Sequence, residues 1–257
     1  MELRQLGPNG PRVSPLALGG TKFGRREDVK YPSSFELPTD GALSELFDLA
    51  KDQGINLVDT APAYGSSEAR IGKLVGRDDH WHIATKVGET FVDGRSSFDF
   101  SPSAIRASVE NSRQQLGRDV LDLVLLHLSN DDMEILGNGA ALSTLLELQA
   151  QGVISTVGAS TKTVAAGLLA ITCCDLVMIT LNDSDQSQLP VLETARTKRR
   201  GVFIKKPLNS GHHSNVGASL AKLVCVPGVT SVVAGTISVE HLKENCVAVK
   251  AALEARI

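Results

Sequence analysis

Between Ser14 and Thr236 a short run of Val, Ile, Leu and Ala recurs eight times, each run separated from the next by a segment with helical spacing. The runs are "SPLALGG", "INLVD", "WHIATKVG", "LDLVLLH", "VISTVGAST", "LVMITLN", "VFIKKP" and "VTSVVAGT". They lack polar alternation, so they belong to strands covered on both faces, as in a parallel sheet wrapped by helices. Eight such units predict an α/β chain closed into a (β/α)8 TIM barrel. A doubly wound sheet is the main rival. The dinucleotide fingerprint GxGxxG that often opens one does not follow the first run, and the strand count favours the barrel.

Local signals agree with this rhythm. "LRQLGPNGPRV" predicts a small amino-terminal β-hairpin turned by Pro-Asn-Gly. Residues 22–40 are polar and irregular and predict a long loop. Leu43, Leu46, Phe47 and Ala50 then share one face of a helix that stops at Gly54. Ser101 followed by Pro102 is a helix start, since a proline at the first helical position forfeits no hydrogen bond. "LSNDDMEILGNG" after His127 predicts a loop.

At 257 residues and 42% hydrophobic, the chain can bury one large core, and residues 1–257 are expected to form a single barrel domain. A net charge of -3 offers no basic footprint for nucleic acid. No apolar run approaches the ~20 residues that cross a bilayer, and the first residues do not resemble a signal peptide. No nucleic-acid or membrane partner is expected, and the expected location is cytoplasmic. Cys173, Cys174, Cys225 and Cys246 lack zinc spacing and are expected to be reduced thiols. The adjacent His212 and His213 are read as part of a polar loop, and no metal site is expected.

Active sites of such barrels gather at the carboxyl ends of the strands. There, Asp59 ends the second run, Lys86 follows the third and His127 ends the fourth, with Tyr64 in the loop after Asp59. Carbonyl reduction needs a hydride at carbon and a proton at oxygen. A free tyrosine releases its proton reluctantly, with a pKa of about 10, and a neighbouring ammonium lowers it. On this logic Lys86 tunes Tyr64, Asp59 holds Lys86 charged, and His127 donates a hydrogen bond to the substrate carbonyl.

The segments "GINLVDTAPAYGSSEARIGK", "ATKVG", "DLVLLH" and "GTISVEHLKEN" together resemble the aldo-keto reductase superfamily over nearly the whole chain. The resemblance implies a (β/α)8 barrel and a nicotinamide dinucleotide bound without a Rossmann domain. It implies Asp59, Tyr64, Lys86 and His127 as catalytic residues. Implied cofactor contacts are Gly20 and Thr21 after the first strand, Ser160 and Thr161 after the fifth, Asn182 after the sixth, and Lys205, Pro207 and Leu208 after the seventh. After the eighth, Gly235, Thr236 and Ser238 suit phosphate at a helix start, with His241, Glu244 and Asn245 around the adenosine. His241 stands where many relatives carry an arginine, which implies NADP(H) with a modest margin over NAD(H).

The expected function is an NADP(H)-dependent oxidoreductase reducing aldehydes or ketones to alcohols, or the reverse, on small carbonyl or alcohol substrates. The alternatives are a regulatory or redox-sensing relative with little turnover, and a Schiff-base aldolase using Lys86 or Lys205. With 4% aromatic residues and a chain ending soon after the last helix, an open mouth is expected, walled by residues 22–40 with Phe23 and Tyr31 and by the loop after His127.

Overall fold

A computed structural model describes residues 1–212 and 215–255. The chain starts with the hairpin β1 (Arg4–Gln5) and β2 (Arg12–Val13), antiparallel in register, and then enters the barrel at β3 (Leu16–Gly19). A short helix α1 (Thr21–Gly24), an irregular stretch and α2 (Asp40–Asp52) lead to β4 (Leu57–Asp59), α3 (Ser67–Val75) and β5 (His82–Val87). An antiparallel hairpin, β6 (Glu89–Val92) and β7 (Arg95–Phe98), stands between β5 and α4 (Pro102–Leu116). Next come β8 (Leu121–His127), α5 (Asp132–Asn138), α6 (Ala140–Ala150), β9 (Ile154–Ser160), α7 (Val164–Cys173) and β10 (Leu176–Thr180). The described chain finishes with α8 (Leu189–Thr197), β11 (Gly201–Lys205), α9 (Val216–Val224), β12 (Ser231–Ala234) and α10 (Val239–Glu254).

Strands β3, β4, β5, β8, β9, β10, β11 and β12 are all parallel and close into one barrel. The eight predicted strands are therefore the barrel strands. Helix boundaries follow local chemistry as expected: the Ser101 side chain accepts from the Ala104 amide with Pro102 at the first position, and Gly117 ends α4 in the left-handed region at φ 65°.

Strand residues alternate faces with period two. Outward side chains such as Leu18, Val58, Ile83 and Val124 pack under the helices, while Ala17, Leu57, Ala84, Leu123, Met178 and Phe203 fill the lumen. Leu6 and Val13 of the hairpin join that inner cluster. Continuing the inward parity upward from Ala17, Leu57, Ala84 and Leu125 brings Gly19, Asp59, Lys86 and His127 to the open end. Phe203 and Val233 lead in the same way to Lys205 and Gly235. Register supports this ring, with Gly19 opposite Asp59 and His127 opposite Ser160. No helix among the described residues is long and apolar enough to cross a membrane.

Three local expectations differ from the structure. The stretch 22–40 begins inside α1, and Phe23 is fully buried against Phe47, so it forms core rather than cavity wall. The segment after His127 contains α5, which Asp132 ties to the next unit by accepting from the Lys162 and Thr163 amides. The hairpin after β5 was not anticipated. His213 and Ile257 lie outside the described residues, whereas His212 is exposed beside a short turn.

Candidate active site

The carboxyl ends of the strands surround a cavity of about 380 Å³. It is lined by Thr21, Asp59, Tyr64, Lys86, His127, Ser160, Lys205, Pro207, Leu208 and Gly235 from the residues singled out in the sequence. At its centre the Lys86 Nζ donates to Asp59 Oδ1 at 2.5 Å and to the Thr60 carbonyl at 2.8 Å. The pair is buried, with side chains 1% and 6% exposed. Asp59 favours the ammonium and holds the Lys86 pKa above its ordinary value despite the opposing effect of burial.

Tyr64 closes a single 3₁₀ turn, Pro62–Tyr64, whose sharp exit is Gly65 at φ 60°. A Cβ on Gly65 would come within 2.3 Å of the Gly24 carbonyl, so only glycine lets the Tyr64 loop lie against α1. The Lys86 Nζ lies 4.8 Å from the Tyr64 ring centre, and Thr21 is its other polar neighbour. The sequence logic expected Lys86 to lower the phenol pKa. The structure shows it raised: burial dominates, Lys86 pulls down, and Asp59 pushes back up. The carboxylate that keeps Lys86 charged also cancels much of its field, so the phenol rests protonated.

His127 has a partner that the sequence did not reveal. Its Nδ1 lies 2.9 Å from Glu89 Oε2 at the base of the hairpin, an electrostatic contact without aligned hydrogen-bond geometry. Ser96 donates to the other Glu89 oxygen at 2.7 Å, and Arg25 lies 4.0 Å from it while stacking 3.5 Å over Phe91. Although burial opposes it, His127, Ser96 and Arg25 hold the Glu89 carboxyl down at about 2. Burial pushes the His127 pKa down, so the imidazole rests neutral even though Glu89 favours its charge. Arg25 also donates to the Ala63 carbonyl at 3.1 Å, joining the hairpin to the turn that carries Tyr64.

Lys205 donates to Ser160 Oγ and to the Thr161 carbonyl, both at 2.8 Å. Tyr31 crosses the mouth, with its hydroxyl beside Gly235 and Lys22 4.2 Å over its ring. Burial first, then the charge-state coupling to Tyr64, raises its pKa to about 12. Phe98 of the hairpin and Leu128 complete the walls.

The remaining sequence candidates lie outside the cavity wall. The Gly20 amide donates to the Asp59 carbonyl at 2.7 Å, and a Cβ there would meet that oxygen at 2.6 Å, so Gly20 stitches β3 to β4. The Thr161 hydroxyl is buried without a partner and packs against Gly167. Asn182 donates to the Lys206 carbonyl and accepts from the Ser184 and Asp185 amides, which fixes the loop that carries Lys206. Thr236 is buried, and Ser238 caps α10 by accepting from the His241 amide. His241 and Glu244 are exposed on the first turns of that helix. Asn245 is only 5% exposed, and its side-chain amide has no hydrogen-bond partner among the described residues.

Residues 15–211 match the family described as the Aldo/keto reductase family. The chain belongs to that family. A solved structure from Pseudomonas aeruginosa, assigned as an aldo-keto reductase, superposes with a TM-score of 0.90 at 42% identity, covering 98% of this chain and 95% of that one. The D-arabinose 1-dehydrogenase of Saccharomyces cerevisiae is 34% identical over 58% of this chain and 43% of its own length. The D-threo-aldose 1-dehydrogenase of a Pseudomonas species is 26% identical over 69% of this chain and 63% of its own length. The matched segments thus span less than two thirds of these two curated relatives. The family is one of oxidoreductases, and its members use NAD(P)H.

The residues present fit such a dinucleotide. Lys22, Lys30, Lys205 and Lys206 line the cavity against Asp28, Asp59 and Glu89, so amino groups predominate where phosphates need them. The unpartnered amide of Asn245 on α10 is a ready polar contact for a purine edge, and the Ser238-capped start of that helix offers free amides to a phosphate.

Proposed function

We propose that the protein reduces aldehydes or ketones to alcohols, or runs the reverse reaction, with Tyr64 as general acid and base. The observation that carries this reading is the single cavity that holds Tyr64 together with the buried Asp59–Lys86 pair and His127. When bound, the nicotinamide supplies the hydride. Tyr64 gives the proton to the carbonyl oxygen as negative charge builds there, and Lys86 then stabilises the phenolate left behind. Because Tyr64 rests protonated, the phenol is a donor at neutral pH and becomes a base only after Lys86 has gained the new negative partner.

His127 places the substrate oxygen. Glu89 faces its Nδ1, which leaves Nε2 for the cavity. A neutral ring with its proton on Nδ1 accepts from an alcohol hydroxyl at Nε2, and an imidazolium donates to a carbonyl there. A neutral ring with its proton on Nε2 also donates there.

Ser160, Lys205, Pro207, Leu208 and Gly235 are the proposed contacts for the nicotinamide half of the cofactor, and Thr236, Ser238, His241, Glu244 and Asn245 for the adenosine half. NADPH is preferred over NADH by a small margin. His241 and Lys243 attract the 2′-phosphate, but Glu240 and Glu244 share the same turns of α10. The substrates are small or polar, since the cavity is of modest size and Lys22, Lys30, Lys162 and Lys206 stand on its walls beside Tyr31 and Phe98.

One experiment tests the core of this reading. Tyr64→Phe and the wild type are assayed on glyceraldehyde, an aromatic aldehyde and a steroid ketone, with cofactor affinity measured by fluorescence. The variant is expected to lose reduction by ~10²–10⁴-fold, with cofactor affinity nearly unchanged. The wild type is expected to prefer either aldehyde to the steroid. More than half the wild-type rate in Tyr64→Phe sinks the acid assignment, and a kcat/KM preference for the steroid sinks the substrate class.

A further inference from the structure

The cavity holds two lysines in opposite settings, Lys86 buried and Lys205 partly buried. Lys86 Nζ faces a carboxylate at 2.5 Å. Lys205 Nζ faces only neutral acceptors, Ser160 Oγ and the Thr161 carbonyl, each at 2.8 Å. A neutral primary amine has two N–H donors and one lone pair, whereas an ammonium has three donors. The two acceptors use both donors of the neutral amine, and no third acceptor for Lys205 is present among the described residues. In the neutral amine the lone pair is left to the cavity.

Its charged neighbours reinforce this state. Lys206 follows it in the chain, Lys162 comes from the loop after β9 and Lys86 from β5, all cations, while Asp59 on β4 is the opposing anion and is already paired. Burial and the three ammonium groups bring the Lys205 pKa down to about 7.

We propose that Lys205 is a second reactive centre, whose amine condenses in the cofactor-free protein with small aldehydes bearing a carboxylate or phosphate to give a reversible imine. The anionic class follows from the walls: Lys22, Lys30, Lys162 and Lys206 line the same cavity and offer charge to a group held beside the reacting carbon. The Nζ lone pair attacks the carbonyl carbon, the C–N bond forms, and the carbonyl π pair moves to oxygen, which takes a proton from water while Nζ returns one of its own to water. The carbinolamine then loses that oxygen as water while the nitrogen pair forms the C=N bond, and the second Nζ proton, released from the iminium, replaces the one the departing hydroxyl took up. Amine plus aldehyde gives imine plus water, and no oxidant or reductant takes part. A protonated imine keeps one N–H, which either 2.8 Å acceptor can hold.

This chemistry is independent of proton transfer by Tyr64, and the test keeps the two apart. Cofactor-free protein is incubated with glyoxylate or with acetaldehyde, reduced with sodium borohydride, digested, and mapped by mass spectrometry, with exposed Lys73 as the internal standard. Lys205 should be labelled at least ~10-fold faster than Lys73, because its lowered pKa leaves far more of it neutral at pH 7 than of an ordinary lysine. The Lys205-to-Lys73 ratio should be higher for glyoxylate than for acetaldehyde. Lys205→Arg, which keeps donors but cannot form the imine, should lose that label, and Tyr64→Phe should keep it. Labelling of Lys205 no faster than Lys73, or a dominant label on Lys86, overturns the proposal. Equal ratios for the two aldehydes overturn its anionic class.

Discussion

The Asp59–Lys86 pair gives the sharpest quantitative expectation. At 2.5 Å, with an effective dielectric of ~20, the gross attraction of the two charges is about 6–7 kcal/mol. Burial of both groups offsets most of it, so the pair itself adds little net stability, but removing one partner strands the other. Lys86→Met leaves the Asp59 carboxylate without its cation and the Thr60 carbonyl without its donor. The expected loss is ~3–5 kcal/mol, or roughly 6–20 °C in melting temperature for a chain of this size.

Asp59→Asn should cost a similar amount, since it leaves a buried ammonium. The double variant removes both charges and should cost less than the sum of the singles by about 2 kcal/mol. Urea unfolding at pH 7 reads all three. Asp59 and Tyr64 raise the folded pKa of Lys86, so the contribution of that lysine is fully present below its ordinary value of 10.5 and is lost as pH rises through the higher folded value. At pH 7 the cycle therefore measures the intact pair. Additivity within ~0.5 kcal/mol would mean that the two side chains act separately and would refute the reasoning.

Two further expectations concern groups outside this pair. Glu89 has its folded pKa lowered to about 2, so its stabilising contribution is present above the ordinary 4.5 and fades as pH falls through the folded value; the stability gap between wild type and Glu89→Gln should shrink over that window, and a gap constant from pH 6 to pH 2.5 argues against the ionised contact. His241→Arg should tighten NADPH without tightening NADH in paired fluorescence titrations, because a guanidinium can grip a phosphate bidentately. Equal tightening of both cofactors would place the 2′-phosphate elsewhere.

The barrel was legible because each strand carries a compact apolar run, and a polar residue ending such a run marks the level where the lumen opens. Asp59, Lys86 and His127 stand out for that reason, and parity then carries all three to the same face. Glu89 did not stand out, since its contact with His127 spans two loops and nothing local announces it. A signal for its hairpin was nonetheless present: Asp93-Gly94 sits between alternating residues of "ETFVDGRSSF", and the structure gives both turn residues positive φ, 50° and 75°. The segment at α5 read as a loop because its polar start hides the function of Asp132, which accepts from the next strand-helix connection. The direction of the Tyr64 pKa shift was not legible at all, because it depends first on how deeply the fold buries the phenol, and only then on the opposed charges of Lys86 and Asp59.

That last difference shows how the cavity distributes its charge. Were Lys86 unpaired, it would pull Tyr64 toward phenolate and push Lys205 further toward the neutral amine. With Asp59 attached, Lys86 is close to neutral when seen from a distance, and the phenol keeps its proton. Lys205 has no such carboxylate, so burial and Lys206 act on it almost unopposed and its charge is easily lost. Placement of one aspartate thus separates two lysines on one rim. The paired one remains a cation that can steady a phenolate, while the unpaired one gives up its proton easily, and the Ser160 and Thr161 oxygens hold it at the cavity wall. Moving the carboxylate from β4 to the strand beside β11 would exchange those roles, leaving Tyr64 without a stabiliser and Lys205 without nucleophilicity.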